Sequence, residues 1–232
     1  MLMRIARPVC LALSIALVAA CSGGTNVEQQ SDGGVAKLAA VRLLSIIPGR
    51  ASAPATPDAR QVLTPELLNG SSTPVLLVVL QEANTAFTMI PTAVNFGTEQ
   101  WRDSGSGAFL RRNGILVGTR GLGFDLLTAD VAGLSQALRQ GGGEDVLRVN
   151  RVLNGQDQVV AMRYLCRVIP VGRETLDFYG ARHGTTIYDE VCEGSGAPFV
   201  NRYWVDSSGT VRRALEQVTE TFGQVEISLL RD

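Results

Sequence analysis

The side chains best suited to catalysis or metal binding are sparse in this sequence, and histidine occurs once, at His183. One histidine excludes a site with several histidine ligands, and no group of cysteine and histidine has the spacing of a zinc site. His183 could act as a base for one of the many serines, but the Gly-x-Ser-x-Gly motif that would single one out does not occur. We therefore interpret His183 as a strand residue with structural hydrogen bonds.

Neighbouring acidic residues form two candidate carboxylate pairs, Asp189 with Glu190 and Glu144 with Asp145. Glycoside hydrolysis uses two carboxyl groups that flank one glycosidic bond. Successive side chains of a strand point to opposite faces, so neither adjacent pair can act on one bond by itself. Carboxylates that are distant in the sequence could still converge in the fold; otherwise these residues are expected on a solvated surface.

A glycine-rich segment at residues 118–123 contains Gly118, Gly121 and Gly123 around Arg120. A phosphate-binding loop needs the Gly-x-Gly-x-x-Gly spacing or a Lys-Ser/Thr ending, and this segment has neither. It also follows a predicted hairpin instead of joining a strand to a helix. The pattern favours a turn that is shaped by glycine and exposes Arg120.

Aromatic and basic residues are the remaining candidates for ligand contact. They could form a platform for sugar rings or anionic glycan, or they could be core anchors whose arginine neighbours lie along apolar surface. Both interpretations stay open from the sequence. The residues are Trp101, Arg102, Arg120, Arg202, Tyr203 and Trp204.

The first twenty residues have the features of a secretory signal. Arg4 and Arg7 precede an apolar run at 9–20 that is too short to span a bilayer. The sequence Leu-Val-Ala-Ala-Cys at 17–21 resembles a bacterial lipobox, in which Cys21 becomes the lipidated first residue; an ordinary signal peptide with a chance cysteine is the alternative. Ser22 follows without the Asp of inner-membrane retention signals. We predict an outer-membrane lipoprotein that faces the periplasm.

The predicted signal peptide determines which cysteines remain in the mature chain and what its net charge is. Cys10 leaves with the signal and Cys21 carries lipid, so Cys166 and Cys192 are expected to form a disulfide in the oxidising periplasm, with two free thiols as the alternative. The formal net charge of −1 becomes −3 once Arg4 and Arg7 are removed with residues 1–20. A nucleic-acid partner is disfavoured because the chain has no basic tract.

Composition divides the chain into four segments. A signal peptide at 1–20 precedes a flexible tether at 21–34, a helical and linker segment at 35–72 and a β-rich domain at 73–232. In the third segment, an apolar helix at 35–47 ends at Pro48-Gly49, an Ala/Pro/Ser linker follows at 51–59, and Thr64-Pro65-Glu66 begins a short second helix.

From residue 73 the chain has the pattern of strands joined by tight turns. Residues 75–80 are a continuous aliphatic run, typical of a strand buried on both faces. Asn113-Gly114 and Asn154-Gly155 predict two hairpins, and a short helix is expected at 130–139. Further strands are predicted at 86–91, 93–102, 156–169, 176–179 and 182–189.

Period two places Cys166 on the same face as Val160, Met162, Tyr164 and Val168, which supports a buried disulfide. The fold class that these patterns predict is mainly β, with antiparallel sheets in a barrel-like or sandwich arrangement and a few short helices in the first half.

Several phrases together resemble one family, the YjbF/GfcB family of group 4 capsule polysaccharide lipoproteins. The resemblance covers about residues 73–230 together with the lipobox. The phrases are Glu99-Gln100-Trp101-Arg102, residues 112–123, Asp125-Leu126-Leu127, Asp189-Glu190-Val191-Cys192 and residues 199–206.

The resemblance implies an all-β periplasmic lipoprotein linked to exopolysaccharide or capsule production and export, with no established catalytic residues to carry over. We expect no cofactor. Other envelope proteins of the exopolysaccharide operon are the partners that it implies. We expect a non-catalytic accessory protein that contacts glycan or an export partner. Two alternatives remain: a polysaccharide-modifying enzyme that uses His183 or convergent carboxylates, and a structural envelope lipoprotein with an indirect polysaccharide role.

Overall fold

The computed structural model describes residues 57–105 and 107–232. The predicted signal peptide at 1–20, Cys21, the tether at 21–34 and the helix at 35–47 lie outside these residues. So does most of the linker at 51–59. In the described ranges, no helix combines the length and apolar character needed to cross a membrane.

Within the part of the chain that the structure describes, three short helices accompany the sheet. The second begins at Pro65 after Thr64, whose hydroxyl accepts a hydrogen bond from Leu67 N at 3.3 Å, as the Thr-Pro-Glu pattern predicts. The first was not predicted; it begins after Asp58, whose carboxylate accepts a hydrogen bond from Arg60 N at 2.9 Å. The helices are α1 (Ala59–Val62), α2 (Pro65–Asn69) and α3 (Ala132–Gln140).

In the described residues, twelve strands form one antiparallel sheet. Strands that follow one another in the sequence pair, except the fifth and the sixth, and the first strand also pairs with the twelfth. The barrel-like class of the prediction is confirmed. The strands are β1 (Val75–Leu80), β2 (Thr85–Asn95), β3 (Thr98–Arg102), β4 (Ala108–Arg112), β5 (Ile115–Arg120), β6 (Leu126–Asp130), β7 (Gly143–Leu153), β8 (Val159–Phe178), β9 (Ala181–Gly194), β10 (Phe199–Asp206), β11 (Val211–Thr219) and β12 (Gly223–Arg231).

The two edge strands, β5 and β6, meet and nearly close the sheet into a barrel. Side chains make the junction: Leu126 N donates to Thr119 Oγ1 at 3.0 Å, and Arg120 Nη2 donates to Leu127 O at 3.1 Å. Gly118 permits the approach, because a Cβ there would lie only 3.3 Å from the carbonyl oxygen of Leu127. Residues 118–120 are the end of β5, and only residues 121–123 belong to the bend that leads to β6, so the predicted turn is confirmed in part.

Both faces of β1 are buried, as its aliphatic run predicts. Leu76 and Val78 belong to the larger core cluster, whereas Val75 and Val79 belong to a smaller cluster on the other face. That smaller cluster is covered by residues of α1 and α2 and by Phe178 near the tip of the β8–β9 hairpin.

The long β8–β9 hairpin corrects the predicted strand boundaries. The prediction of separate strands at 156–169 and 176–179 is wrong, because β8 runs without interruption from Val159 to Phe178. The register shifts between Pro170 and Gly172, and such a bulge accommodates a proline that cannot donate to the ladder. The hairpin turns at Tyr179 and Gly180, with φ of 55° and 95°.

A similar correction applies to β2. The predicted break between strands 86–91 and 93–102 is wrong, since β2 continues past Pro91 through a register shift between Pro91 and Ala93. The turn instead lies at Phe96-Gly97, where φ is 47° and 75°. In both places, proline marked a bulge and not the end of a strand.

The two Asn-Gly predictions have different outcomes. Asn113 and Gly114 form the expected two-residue turn, with φ of 52° and 78°. Asn154-Gly155 lies in a longer loop, in which Asn154 Oδ1 accepts hydrogen bonds from the backbone N–H groups of Gln156 and Gln158 at 2.9 and 3.0 Å. The side chain of Asn154 therefore organises the loop, and Asp157 takes the positive φ of 57°.

Asp206 organises the β10–β11 turn. Its carboxylate accepts hydrogen bonds from Ser208 Oγ at 2.6 Å, Thr210 N at 3.0 Å and Arg212 Nε at 2.6 Å. Partial burial opposes the charged form, but these hydrogen bonds outweigh it and lower the pKa of Asp206 to about 2.

Replacing Asp206 with Asn is expected to remove a pH-dependent part of the stability. Because the folded-state pKa lies below the usual value of 3.8, the contribution is complete above about pH 4 and is lost as the pH falls towards 2. After allowance for solvent screening, the free energy of unfolding should fall by about 1–2 kcal/mol at pH 7. Urea unfolding of both proteins from pH 7 to pH 2 measures the difference. A difference that does not change with pH would contradict the prediction, and Asp145→Asn is the control for loss of an exposed carboxylate.

Candidate functional site

A cleft of about 850 Å³ opens at one end of the sheet, where the connections β5–β6, β7–β8, β9–β10 and β11–β12 come together. Its volume is in the range of about 300–1,000 Å³ that is usual for ligand sites. Aromatic, charged and amide side chains line it, among them Arg120, Phe124, Asn150, Tyr164, Phe199 and Glu220.

Two aromatic rings form part of the cleft wall. The rings of Tyr164 and Phe199 meet edge to face, with their centroids 4.9 Å apart. Glycine makes room beside them, because a Cβ at Gly196 would lie 2.3 Å from the Tyr164 hydroxyl. Phe199 also contacts the guanidinium of Arg148, whose Cζ lies 5.9 Å from the ring centroid. The wall therefore separates the cleft from a charged residue inside the sheet.

Arg148 and Glu190 form an ion pair that is buried inside the sheet. The shortest distance, from Arg148 Nη1 to Glu190 Oε2, is 2.9 Å, and the two side chains are 1% and 0% exposed. Asn150 Oδ1 accepts a hydrogen bond from Arg148 Nε at 3.1 Å, and Asn201 Nδ2 donates to Glu190 at 2.7 Å. A buried ion pair needs such additional hydrogen bonds to offset the cost of removing both charges from water.

A second buried carboxylate, Glu216, continues this network. The hydroxyl of Tyr203 lies 3.2 Å from Glu190 Oε2 and 3.0 Å from Glu216 Oε1, so it bridges the two carboxylates. Leu116 N donates to both oxygens of Glu216 at 3.1 and 3.2 Å. Arg111 is fully buried nearby and balances the second negative charge. We call Arg111, Arg148, Glu190, Tyr203 and Glu216 the buried network.

Burial and mutual charge shift the pKa values in the buried network. Burial raises the pKa of Tyr203 well above its usual value, and the carboxylates of Glu190 and Glu216 add to the rise. Burial also raises the pKa of Glu216, in spite of the two arginines, and lowers that of Arg111. For Arg148, burial is the largest single influence and opposes the charge, but Glu190, Tyr203 and Glu216 together outweigh burial, so the pKa of Arg148 is raised. The arginines remain charged, and the tyrosine remains neutral.

The disulfide lies beside the buried network. Cys166 and Cys192 are cross-strand partners on β8 and β9, with their Cα atoms 4.1 Å apart and their sulfur atoms bonded. The ligand atoms of these cysteines and of Glu190 are all within 4.8 Å of one another. This spacing would suit a metal ion, but the bond between the sulfur atoms removes the thiolates that a metal would need.

Sequence comparison places the chain in a family. The model of the group 4 capsule polysaccharide lipoproteins gfcB and YjbF matches residues 40–230, which is most of the chain. The chain belongs to this family. No curated protein matches the sequence of this YjbF-family lipoprotein.

A solved structure shares the fold of this YjbF-family lipoprotein. The crystal structure of the hypothetical lipoprotein YmcC from Escherichia coli (K12) superposes with a TM-score of 0.63 at 17% sequence identity. The match covers 72% of this chain and 88% of YmcC. At this identity the similarity establishes the barrel-like fold, and it assigns no site.

The predicted contact residues of this YjbF-family lipoprotein do not form one platform. Trp101 and Tyr203 are buried, and Trp101 Nε1 donates to Glu99 at 2.9 Å. Arg102, Arg120 and Arg202 are exposed, but Arg202 forms an ion pair with Asp189. Of the predicted set, Arg120 alone borders the cleft. Alternation along β10 explains the split, because Arg202 and Tyr203 point to opposite faces.

The residues considered for catalysis do not come together at one site either. Asp189 points outward to Arg202, whereas Glu190 points into the buried network, as alternation predicts for adjacent strand residues. His183 on β9 is the cross-strand partner of Leu176 on β8. Leu176 lies twelve residues (176 − 164) along β8 from Tyr164 of the cleft wall. That distance along β8 is about 40 Å. The ring contact of His183 is with Phe178, at 5.9 Å between centroids.

The buried network was missed by the sequence analysis, although a signal for it exists. Arg148 lies two residues from Val146 on β7, and Glu216 lies two residues from both Ala214 and Val218 on β11. Each is a charged residue in phase with the apolar residues of its strand. A charge at such a position indicates an inward-facing side chain that needs a buried partner.

Proposed function

We propose that this lipoprotein is a non-catalytic accessory protein for capsule or exopolysaccharide production or export, and that it contacts glycan through the cleft. Membership of the capsule lipoprotein family supports the polysaccharide link. The observation that carries the glycan contact is the cleft itself, with its volume of about 850 Å³ and its mixed aromatic and polar lining.

The lining suits a carbohydrate segment. A sugar ring has an apolar face of C–H groups and an edge of hydroxyl groups, so it needs aromatic surface beside hydrogen-bonding groups. Phe124 is 59% exposed at the cleft and offers a ring face. Gln217, Thr219 and Thr221 line the same cleft and can exchange hydrogen bonds with hydroxyl groups.

The charges of the lining favour an uncharged glycan segment. Asp125, Asp157 and Glu220 are acidic, whereas Arg120 is basic. The guanidinium of Arg120 donates to the backbone oxygens of Leu126 and Leu127, so it is already used by the closure between β5 and β6. An anionic segment would meet net negative charge in the cleft.

We propose a non-catalytic role because a ligand in the cleft cannot reach the buried carboxylates. Glu190 and Glu216 are both 0% exposed, so a glycosidic bond in the cleft cannot contact them. The alternative of an enzyme that uses His183 is not favoured, since this residue lies far along β8 from the cleft wall. The buried network instead supports the barrel-like sheet beneath the cleft.

The location follows from the N-terminal sequence and is part of the same proposal. We place the protein at the outer membrane, facing the periplasm and held by a lipid on Cys21. The partners are exopolysaccharide and other envelope proteins of the exopolysaccharide operon.

Phe124→Ala is expected to weaken binding of the organism's purified exopolysaccharide about fivefold, because one aromatic contact contributes about 1 kcal/mol. Isothermal titration with size-fractionated polysaccharide measures this. Phe96→Ala is the matched control, since Phe96 is 94% exposed in the β2–β3 turn and does not line the cleft. Equal binding by wild type and both variants would refute the cleft assignment.

Deletion of the gene separates the direct role from an indirect one. The proposal expects reduced exopolysaccharide export that is restored by the wild-type chain and by His183→Ala. If export is unchanged on deletion, the accessory role is wrong. If export falls but the protein binds neither glycan nor export proteins, the structural envelope role with an indirect effect is the better account.

A further inference from the structure

A second cavity, of about 470 Å³, carries the opposite charge from the glycan cleft. It lies among the β4–β5 turn, β6, α3 and β7. Arg112, Arg139 and Arg151 line it, and among the described residues of the lining Asp130 is the one acidic residue. Three positive charges against one negative charge make this cavity attractive to an anion.

The N-terminus of α3 adds to this attraction. The helix has nine residues and begins after Val131, whose side chain provides no capping hydrogen bond. Helix N-termini carry partial positive charge and backbone N–H groups that point outward, and they bind anions in many proteins. Ala132 N donates a hydrogen bond to Asp130 Oδ1 at 3.2 Å, so the carboxylate of Asp130 uses one of these donors.

A buried hydroxyl gives independent evidence of a ligand. Ser135 lines the cavity and is 7% exposed, and its Oγ has no hydrogen-bond partner among the described residues. Buried hydroxyl groups in folded proteins are nearly always paired, because an unpaired one loses its bonds to water without replacement. A ligand oxygen in the cavity would accept the hydrogen bond from Ser135.

The arginines are available to such a ligand. Arg139 and Arg151 are exposed, and no ion pair or hydrogen bond in the described part of the chain uses their guanidinium groups. Arg139 follows Ser135 by four residues, so both side chains lie on the same face of α3. Arg112 is held in place from one side, since its Nε and Nη2 donate to Thr98 Oγ1 at 3.2 and 2.8 Å.

We propose that this cavity binds a tetrahedral oxyanion, a phosphate or sulfate group that is either free or a substituent of a larger molecule. The hydrogen-bond donors around the cavity come from different directions. They are the guanidinium groups of three arginines on different elements, the N-terminus of α3 and the hydroxyl of Ser135. A tetrahedral anion with three or four acceptor oxygens can satisfy several of them at once, whereas a planar carboxylate offers two oxygens. The site is independent of the glycan cleft.

Titration of the full chain with inorganic phosphate tests the site directly. The wild type is expected to bind one phosphate, and the double variant Arg139→Gln with Arg151→Gln is expected to bind at least about tenfold more weakly. The matched control is Arg173→Gln with Arg182→Gln, which removes the same charge from exposed positions outside the cavity. Equal loss in both double variants, or no loss in the first, overturns the proposal. Circular dichroism verifies that each variant is folded.

Two single substitutions distinguish a built site from general charge attraction. Asp130→Asn should tighten phosphate binding a few-fold, because it removes the opposing charge and keeps an acceptor for Ala132 N. Ser135→Ala should weaken binding without changing the net charge. Acetate at the same concentration should bind more weakly than phosphate or sulfate. If neither substitution changes the affinity, or acetate binds as well as phosphate, the tetrahedral site is refuted.

Competition identifies the source of the anion. Glucose 1-phosphate and vesicles of phosphatidylglycerol are each added at matched phosphate concentration to the phosphate-bound protein. Displacement by the sugar phosphate assigns a phosphorylated sugar, and displacement by vesicles assigns a lipid headgroup. Displacement by neither assigns free phosphate or sulfate.

Discussion

Replacing Glu190 with alanine is expected to lower the free energy of unfolding by about 3–5 kcal/mol. The substitution leaves the guanidinium of Arg148 buried at 1% exposure without its 2.9 Å ion-pair partner. It also removes the acceptor of Asn201 Nδ2 and one of the two acceptors of the Tyr203 hydroxyl. Urea unfolding followed by circular dichroism measures the change.

The neighbouring residue supplies a matched control. Asp189→Ala removes the same charge from the same strand, but the ion pair it breaks is with Arg202, whose side chain is 44% exposed. Exposed ion pairs contribute about 0–1 kcal/mol, so this variant should remain close to wild type. Equal effects of the two substitutions would show that the ion pair with Arg148 has no special part in stability.

A double replacement tests the cause of the loss. If the uncompensated charge of Arg148 dominates, Glu190→Leu combined with Arg148→Met should be more stable than Glu190→Leu alone, because the pair is then replaced by apolar side chains. The recovery should be partial, since Asn201 still lacks its partner. No recovery would point to lost hydrogen bonds as the cause.

Removing the disulfide is expected to have the second largest effect. The bond joins residues that are 26 apart in the sequence, and in the chain-entropy model a loop of that size contributes about 3.5 kcal/mol by restricting the unfolded chain. Cys166→Ala with Cys192→Ala should therefore unfold at a lower urea concentration. Because both cysteines are fully buried, the loss of packing adds to this effect.

Reduction of the wild type separates the two contributions. Wild type unfolded in dithiothreitol loses the cross-link and keeps both sulfur atoms, so it should lie between the oxidised protein and the double alanine variant. A urea midpoint that does not respond to dithiothreitol would contradict a stabilising disulfide. The sulfur atoms lie within 4.8 Å of a Glu190 carboxylate oxygen, so the cysteine and Glu190 substitutions should not be additive.

Much of the fold follows from local patterns in the sequence. Period-two alternation placed Cys166 on the apolar face of β8, and the cysteine is buried there and bonded to Cys192. The Asn113-Gly114 turn and the aliphatic run of β1 were also predicted correctly. Each of these features depends on residues that are neighbours in the chain, so a short window of sequence contains the cause.

The predictions that failed depend on strand pairing. Pro91 and Pro170 resemble strand ends locally, yet each lies at a bulge that keeps the ladder intact. Asn154-Gly155 resembles a two-residue turn, but the side-chain hydrogen bonds of Asn154 define a longer one. In each place, a neighbouring strand or side chain supplied hydrogen bonds that changed the local preference.

By itself, the sequence determined the antiparallel β class, the inward face of β8 and the resemblance to the capsule lipoprotein family, since all three are carried by adjacent residues. Only the tertiary structure decided which groups the buried charged side chains contact. Arg148 and Glu190 are 42 residues apart, and Leu116 and Glu216 are 100 apart. Their contacts, and the two cavities around the sheet, depend on strand register and on the pairing of β1 with β12, which brings together parts of the chain that no local pattern connects.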